Sequence, residues 1–392
     1  MHILAAFDKC KDSLSAREIC ALGQKVASAK PFNHDVHSIP LTDGGEGFTE
    51  LLTHAKKGTY HSILANDSLG EEKEVKVGIV PSGKLDLSLR EFTDLPSQGN
   101  WAVIEMSSIA GLSDLPQEKR NPWLTSTIGV GQLLAGVSSL GVSAIILGIG
   151  GSSTNDMGLG ALSALGVNFF DRDGKLISFP VPECWSRIAK ISAEKLITLP
   201  PIRIACDVSN QLLGENGATF QFGPQKGLSA NRKEKMESNM ELMSERLSQI
   251  FQKPLNFRNQ EGTGAAGGIA YGLSLAFETQ FVPGFSLVSK WFNLENEIKK
   301  TDLILTGEGR FDQTSLYGKG PYEIIRLASK YQKKVVLLAG SVEKKAVEKC
   351  MREFANVEIV AFGSSQLSLE QNLTKAPELF EIKLKSQLSY YQ

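Results

Sequence analysis

No Cys-x-x-Cys pair occurs in the 392 residues, and the five cysteines (Cys10, Cys20, Cys184, Cys206, Cys350) are odd in number and scattered. All five histidines fall within the first 61 residues, far in sequence from the last three cysteines. Neither a disulfide framework nor a zinc site is therefore expected to organise this chain. The formal net charge is −1 and no basic stripe is present, which argues against a nucleic-acid or anionic-membrane partner. An anionic ligand would have to be held by local charge and backbone dipoles. No apolar run approaches the ~20 residues of a membrane span. The chain opens on the strand-like His2–Phe7 rather than on a signal peptide, so a reducing cytoplasm is the expected compartment.

The standard nucleotide fingerprints are also missing. The nearest approach to a Walker A loop, Gly318-Lys319-Gly320, has Gln313 where the first glycine should stand and Gly320 in place of the hydroxyl residue. A dinucleotide motif starting at Gly148 would need glycine at position 153, which is Ser153. No Asp-Phe-Gly or His-Arg-Asp triplet marks a protein kinase.

What is present is an alternation of short Ile/Val/Leu-rich runs with helical patterns. The runs include Ile3–Phe7, Val36–Leu41, Val75–Val80, Ala102–Met106, Ala144–Ile149, Ile202–Val208, Leu303–Thr306, Val335–Ala339 and Val357–Phe362. Helical patterns cover Ser15–Ala29, Ser229–Ile250 and Val342–Phe354. This predicts an α/β protein with largely parallel sheets. The stripe Met236, Met240, Met243, Leu247, Ile250 reads as a core-facing helix rather than a partner groove. The length exceeds one ordinary core, so two domains are expected. With no linker of low complexity, the second is expected as an insertion in the first. Residues 1–65 and 290–392 would form a discontinuous Rossmann-like parallel-sheet domain, and 66–289 an inserted α/β domain.

Polar loops follow six of the apolar runs: Asp8–Ser13, Thr42–Gly47, Glu105–Ser108, the loop GIGGSSTNDMGLG at 148–160, Asp207–Asn210 and Glu308–Asp312. Ligands of open α/β sheets sit beyond the carboxyl ends of strands. A single acid there is ordinarily a helix cap, but six such loops together suggest a carboxylate-lined site. Lys11, Lys226, Arg310 and Lys319 are its candidate cations. Acids, cations and glycine-rich turns are the parts used in magnesium-assisted phosphoryl transfer.

Taken in order, these segments resemble the bacterial class I glycerate kinase family. The likeness runs through Asp8–Ala16, Pro40–Gly47 (PLTDGGEG), Asn121–Gly131 (NPWLTSTIGVG), Gly148–Gly160, Ala205–Gly227, Gly262–Gly272 (GTGAAGGIAYG) and, most specifically, Asp302–Pro321 (DLILTGEGRFDQTSLYGKGP). The resemblance implies two α/β domains with the active site in a cleft between them, ATP and Mg2+ as cofactors, and D-glycerate as acceptor with 2-phosphoglycerate the usual product. A homodimer is among the allowed assemblies. A kinase of another small hydroxy acid or polyol, or an inactive nucleotide- or metabolite-binding sensor, are the alternative functions. Lys11 would contact phosphate oxygens. Asp43 and Asp207 are the candidates for acceptor base and magnesium-directed carboxylate, in an order the sequence leaves open. Glu308 and Asp312 would position metal or ATP, so Asp207 and Glu308 are the candidate metal ligands. Arg310 would pair with the glycerate carboxylate or a phosphate. Gly150, Gly151, Ser152, Ser153, Thr154, Asn155 and Lys319 complete the expected cofactor-binding set. Asn155 and Asp156 could instead cap the following helix, and Thr125–Thr127 read as a cap for a helix at Ile128–Leu134.

The chain departs from the family pattern in places. The first motif usually reads Asp-Ser-Phe-Lys-Gly-Ser and here is Asp8-Lys9-Cys10-Lys11-Asp12-Ser13. Gln211 replaces the usual proline after Asn210, and Met157 stands where a glycine is usual.

Overall fold

The protein is described from a computed structural model covering residues 1–391; Gln392, the last residue of the expected segment 290–392, lies outside the described residues. The chain divides into two units, one of Met1–Asp43 with the chain from Phe285 onward, the other of Gly44–Gly284.

In chain order the strands are β1 (His2–Phe7), β2 (Asp35–Ser38), β3 (Thr59–Asn66), β4 (Glu72–Pro81) and β5 (Asn100–Glu105). They continue as β6 (Ala144–Gly148), β7 (Asn168–Phe170), β8 (Lys190–Ser192), β9 (Ile202–Ala205) and β10 (Thr279–Val282). The last are β11 (Leu303–Gly307), β12 (Arg310–Phe311), β13 (Lys334–Ala339), β14 (Ser341–Val342) and β15 (Val357–Ala361). Each of the nine apolar runs read from the sequence overlaps one of these strands.

The first unit is built on a parallel sheet ordered β15-β13-β11-β1-β2. Numbered within the unit, that is the doubly wound order 2-1-3-4-5. Both sheet faces are covered. Ile3, Ala5 and Phe7 pack with Ile19 and Val26 of the helix Ala16–Ser28 and with Phe380 and Leu384 of the helix Ala376–Leu388. The alternate residues Leu4 and Ala6 join a second cluster with Leu294, Ile298, Ile324 and Ile325. The period of two along β1 thus feeds two cores, which is why its sequence is a continuous apolar run.

The second unit holds a mixed sheet ordered β10-β9-β6-β5-β4-β3. Its β5, β6, β9 and β10 run parallel, while β3, β4 and β5 pair antiparallel. Residues 44–65, expected from sequence in the discontinuous domain, pack in this unit. The reason is pairing: β3 is in register with β4 from Thr59↔Ile79 to Asn66↔Glu72. The helix Phe48–Ala55 lies over β4 and β5. The methionine stripe is core, as its spacing suggested: Met236, Met240, Met243 and Leu247 are buried with Leu159, Phe169 and Tyr271. Ile250, at the end of that helix, is 39% exposed and stays outside it.

Gly78 lets the helix Phe48–Ala55 approach β4. A Cβ there would lie 2.9 Å from Thr53 Cβ and in collision with its Oγ1. Gly78→Ala is therefore expected to destabilise the protein by roughly 1–3 kcal/mol. Urea denaturation checks this, with part of the loss recovered in a Thr53→Ala background.

Candidate active site

The winding of the first sheet reverses between β1 and β11, since β2 lies beyond β1 on one side and β13 and β15 follow β11 on the other. A crevice opens beyond the carboxyl ends of two such strands. Asp8 directly follows β1 and Glu308 directly follows β11, and both are buried. They line a cavity of about 700 Å3 whose wall also takes in Lys11, Asp43, Arg310, Asp312 and Lys319. Three strand-end loops, widely separated in sequence, thereby converge within one unit.

The cavity floor holds two buried carboxyls, Asp8 and Glu308, both raised above the ordinary carboxylate range. Burial pushes the Asp8 carboxyl up to about 7, and the charge of Asp43, with a further contribution from Glu308, acts in the same direction. The Lys9 amide donates to Asp8 Oδ1 at 2.7 Å and only partly opposes this. Burial also raises Glu308, against the pull of Lys319, whose Nζ stands 3.6 Å from Glu308 Oε2. The second oxygen, Glu308 Oε1, is buried without a hydrogen-bond partner among the described residues.

Asp312 is more fully used. Burial would raise it, but Thr314 donates from its amide and its hydroxyl to Oδ1 (2.9 and 2.6 Å), and Lys319 and Arg310 add positive charge. The balance holds Asp312 below the ordinary carboxylate range. Arg310 Nε lies 3.2 Å from Asp312 Oδ2, and the arginine side chain is otherwise exposed. Cys10, also on the wall, is pushed by burial to about 12 and behaves as an inert thiol.

The glycine-rich loop after β6, expected from sequence to bind the cofactor, belongs to the second unit. The Gly150 amide donates to the Gly44 carbonyl at 3.0 Å. A Cβ on Gly150 would sit 2.8 Å from the Gly45 nitrogen, so this glycine serves backbone packing. Ser153 bonds the Ala110 carbonyl through both its amide and its hydroxyl, each at 2.9 Å. Asn155 donates weakly to Thr219 Oγ1 and Met240 Sδ. Thr154 and Asn155 are fully buried and Ser152 nearly so; Gly151 alone of the expected residues 150–155 is exposed.

Two charged side chains hold that loop. Asp156 accepts from the Thr127 amide (2.8 Å), the Thr127 hydroxyl (2.9 Å) and the amides of Gly158 (3.1 Å) and Gly160 (3.2 Å). It thus pins the starts of the helices Ile128–Ser139 and Leu159–Ala164. Burial raises its carboxyl despite those donors. Lys226 Nζ donates to Ser152 Oγ (2.9 Å) and the Thr154 carbonyl (2.6 Å), and burial lowers it to about 7 against the favourable charge of Asp156. Glu105 acts similarly at the end of β5, accepting from the amides of Gly47 and Thr49 at 3.2 and 2.7 Å. Asp207, after β9, is exposed in the second unit.

The wall of the first-unit cavity therefore collects Lys11, Asp43, Glu308, Arg310, Asp312 and Lys319, whereas Gly150–Asn155 lie in the second unit, where Thr154 Oγ1 and Asn155 Oδ1 are buried without a hydrogen-bond partner among the described residues. Asp8 was missed as a site residue. Its signal was present, an acid at the end of the first strand, but a lone acid there reads equally well as a cap.

Two measurements separate scaffold from site. Asp156→Ala strands buried amides and should cost about 3 kcal/mol of stability, read by urea denaturation. For Asp8 the folded value near 7 lies above the unfolded value of 3.8. Between those pH values the folded chain keeps a proton that the unfolded chain has lost, so this group's contribution to stability falls as pH rises through the window. In chelator-treated buffer, Asp8→Asn should match wild type near pH 4 and exceed it by roughly 2–4 kcal/mol at pH 8.

The sequence pattern of the Glycerate kinase family matches residues 3–390. A glycerate kinase of Haemophilus influenzae is 35% identical over 322 residues, 81% of this chain and 80% of the relative. A glycerate 2-kinase of Escherichia coli is 34% identical over 324 residues, 81% of this chain and 79% of that protein. A solved structure described as a glycerate kinase 2 from Salmonella typhimurium LT2 superposes with a TM-score of 0.76 at 29% identity, covering 100% of this chain and 98% of its own. With its cavity at the reversal of a doubly wound sheet and a family match over nearly its full length, the chain belongs to the glycerate kinase family.

Proposed function

We propose that this chain transfers the γ-phosphoryl group of ATP to a hydroxyl of D-glycerate, releasing ADP and 2-phosphoglycerate. The observation that carries the reading is the first-unit cavity, where buried Asp8 and Glu308 share one wall with Asp43, Lys11, Arg310 and Lys319. Phosphoryl transfer needs positioned charge more than covalent chemistry. Lys11 and Lys319 neutralise phosphate oxygens, and Arg310 offers its planar fork to a carboxylate or phosphate. Asp43, exposed on the cavity wall, accepts the proton of the attacking hydroxyl. The new oxygen–phosphorus bond forms as the bond from the γ-phosphorus to the bridging oxygen breaks, and that electron pair leaves on ADP.

Magnesium suits this donor set. The ligands are carboxylate oxygens, Glu308 Oε1 lacks a partner among the described residues, and the charges of Asp43 and Glu308 on Asp8 call for a cation. No preassembled group of three or more His, Cys, Asp or Glu ligands exists among the described residues. That matches a metal held by one or two carboxylates together with substrate phosphates rather than by a closed protein cage. When bound, the ion would neutralise charge on the transferring phosphoryl group. Glu308, rather than Asp207, is its foremost ligand because it lines the cavity. No helix among the described residues is long and apolar enough to cross a membrane, and all five cysteines are free, which supports action in a reducing cytoplasm.

A coupled ADP-release assay with D-glycerate, other small hydroxy acids and polyols tests the acceptor. Turnover is expected with D-glycerate, and phosphorus NMR should find the product phosphorylated at the 2-hydroxyl. Asp43→Asn should lower kcat by roughly 10²–10⁴-fold, while Asp207→Asn retains most activity. The reverse order would move the base to Asp207, and absence of turnover with D-glycerate would sink the acceptor assignment.

A further inference from the structure

Only part of the cavity wall is charged. Beyond the ends of β13 and β15 the wall is made by Val342, Phe362, Leu369 and Leu373, with Ser364 and Ser365 as small polar groups and no charged side chain. This end is built rigidly. Phe362 is buried and meets Phe380 edge to face, ring centroids 5.6 Å apart and planes at 90°. The loop Gly363–Ser368 is tied down by one side chain: Asn372 Oδ1 accepts from the Ser364 amide at 2.8 Å, and its Nδ2 lies 3.0, 3.1 and 3.0 Å from the carbonyls of Ser364, Leu367 and Ser368. The Nδ2 group is committed to the loop carbonyls, so Asn372 is a positioning residue. The Gly363 amide anchors the other side of the loop on the Gly340 carbonyl at 3.0 Å.

A braced, uncharged and largely apolar recess opening onto a charged floor fits a molecule with one neutral aromatic end and one polyanionic end. Glycerate does not account for it, because a three-carbon acid with two hydroxyls has no apolar part to bury. We infer that the base and ribose of ATP lie in this recess, between the β13 and β15 ends and the helix Leu369–Thr374, with the triphosphate directed along the strand ends towards Lys11, Glu308 and Lys319. The inference rests on ATP as phosphoryl donor. It assigns the base and ribose to the first unit, whereas the glycine loop at 148–160 belongs to the second.

Photolabelling of the intact wild-type chain with 2-azido-ADP tests the site without requiring turnover. Label is expected in the peptide spanning residues 361–376, protected by excess ADP; protected label in the peptide spanning 148–160 overturns the assignment. Leu373→Asp and Leu369→Asp provide the second arm, the latter at a position 76% exposed and thus tolerant of charge. Each should weaken ADP binding by tenfold or more in calorimetry and raise KM for ATP comparably. The KM for D-glycerate and the inhibition constant of inorganic tripolyphosphate should stay within twofold. Unchanged ADP affinity in both variants, or a rise in KM for D-glycerate alone, overturns the inference. A wild-type chain that binds and is labelled by ADP yet fails to phosphorylate D-glycerate would instead sink the acceptor assignment and leave the nucleotide site standing.

Discussion

Two neighbouring parallel strands whose connections leave in opposite directions cannot close the space above their carboxyl ends. In this protein those strands are β1 and β11, joined in register from Ile3↔Leu303 to Phe7↔Gly307. The residues that fall into the resulting crevice are fixed by register alone. Asp8 and Glu308 follow the last pair, and the Asp8 amide donates to the Gly307 carbonyl at 2.9 Å. Two acids separated by 300 positions in sequence become neighbours because the sheet has a switch point there. The other wall loops, from β2, β13 and β15, are brought in by the same parallel order.

That placement has an electrostatic cost which function can use. Buried carboxylates repel one another and resist ionisation, as Asp8 shows with a value near 7. A cation relieves the repulsion, and phosphate oxygens in turn relieve the cation. A floor of this kind is least comfortable empty and most comfortable with both ligands in place. Lys319 supplies part of the relief already, at 3.6 Å from Glu308, but Glu308 Oε1 still has no hydrogen-bond partner among the described residues. The second unit resolves similar burial differently. Asp156 has four donors and the nearby charge of Lys226, so its charge is spent on holding two helix starts and a loop.

This contrast explains how much the sequence disclosed. The strands β1, β5, β6, β9, β11 and β13 were legible because nearly every residue of each is buried and reads as an unbroken apolar run. β3 was not: Thr59–Asn66 is exposed at most positions and carries Tyr60, His61 and Ser62, so it shows no such run and its pairing with β4 had to be seen. Strand-end acids were legible as a class, but their division into scaffold and site was not. Asp156, in the loop after β6, and Glu105 and Asp8, at the ends of β5 and β1, read alike as acids in strand-end loops. Only three-dimensional surroundings show that amide donors surround the first two and other carboxylates the third. The glycines were ambiguous for the same reason. Gly150 permits close backbone approach, as glycine does, to the segment Gly44–Gly45. The uncharged end of the cavity left no signal at all, since Val342, Phe362 and Leu373 are indistinguishable in sequence from core.

The departures from the family pattern acquire a physical meaning in the same terms. Asp12 and Met157 stand where glycine is usual, and both adopt positive φ, +61° and +53°. The backbone has therefore kept the path glycine would take, at a strain of roughly 1–2 kcal/mol per residue. Aspartate is among the residues that tolerate this region best. Met157 offsets its strain by burying its side chain completely in the cluster that includes Leu159 and Leu212. The turn after β1 likewise keeps its closure, with Cys10 and Leu14 exchanging hydrogen bonds at 2.7 and 2.9 Å. What changes is charge. Lys9 replaces a hydroxyl and Asp12 replaces a glycine, and both side chains lie on the cavity wall beside Lys11. One substitution adds a positive charge and the other a negative one, so the net charge presented by the loop is the same as in the usual motif. A phosphate approaching Lys11 therefore meets a rearranged field of unchanged net charge.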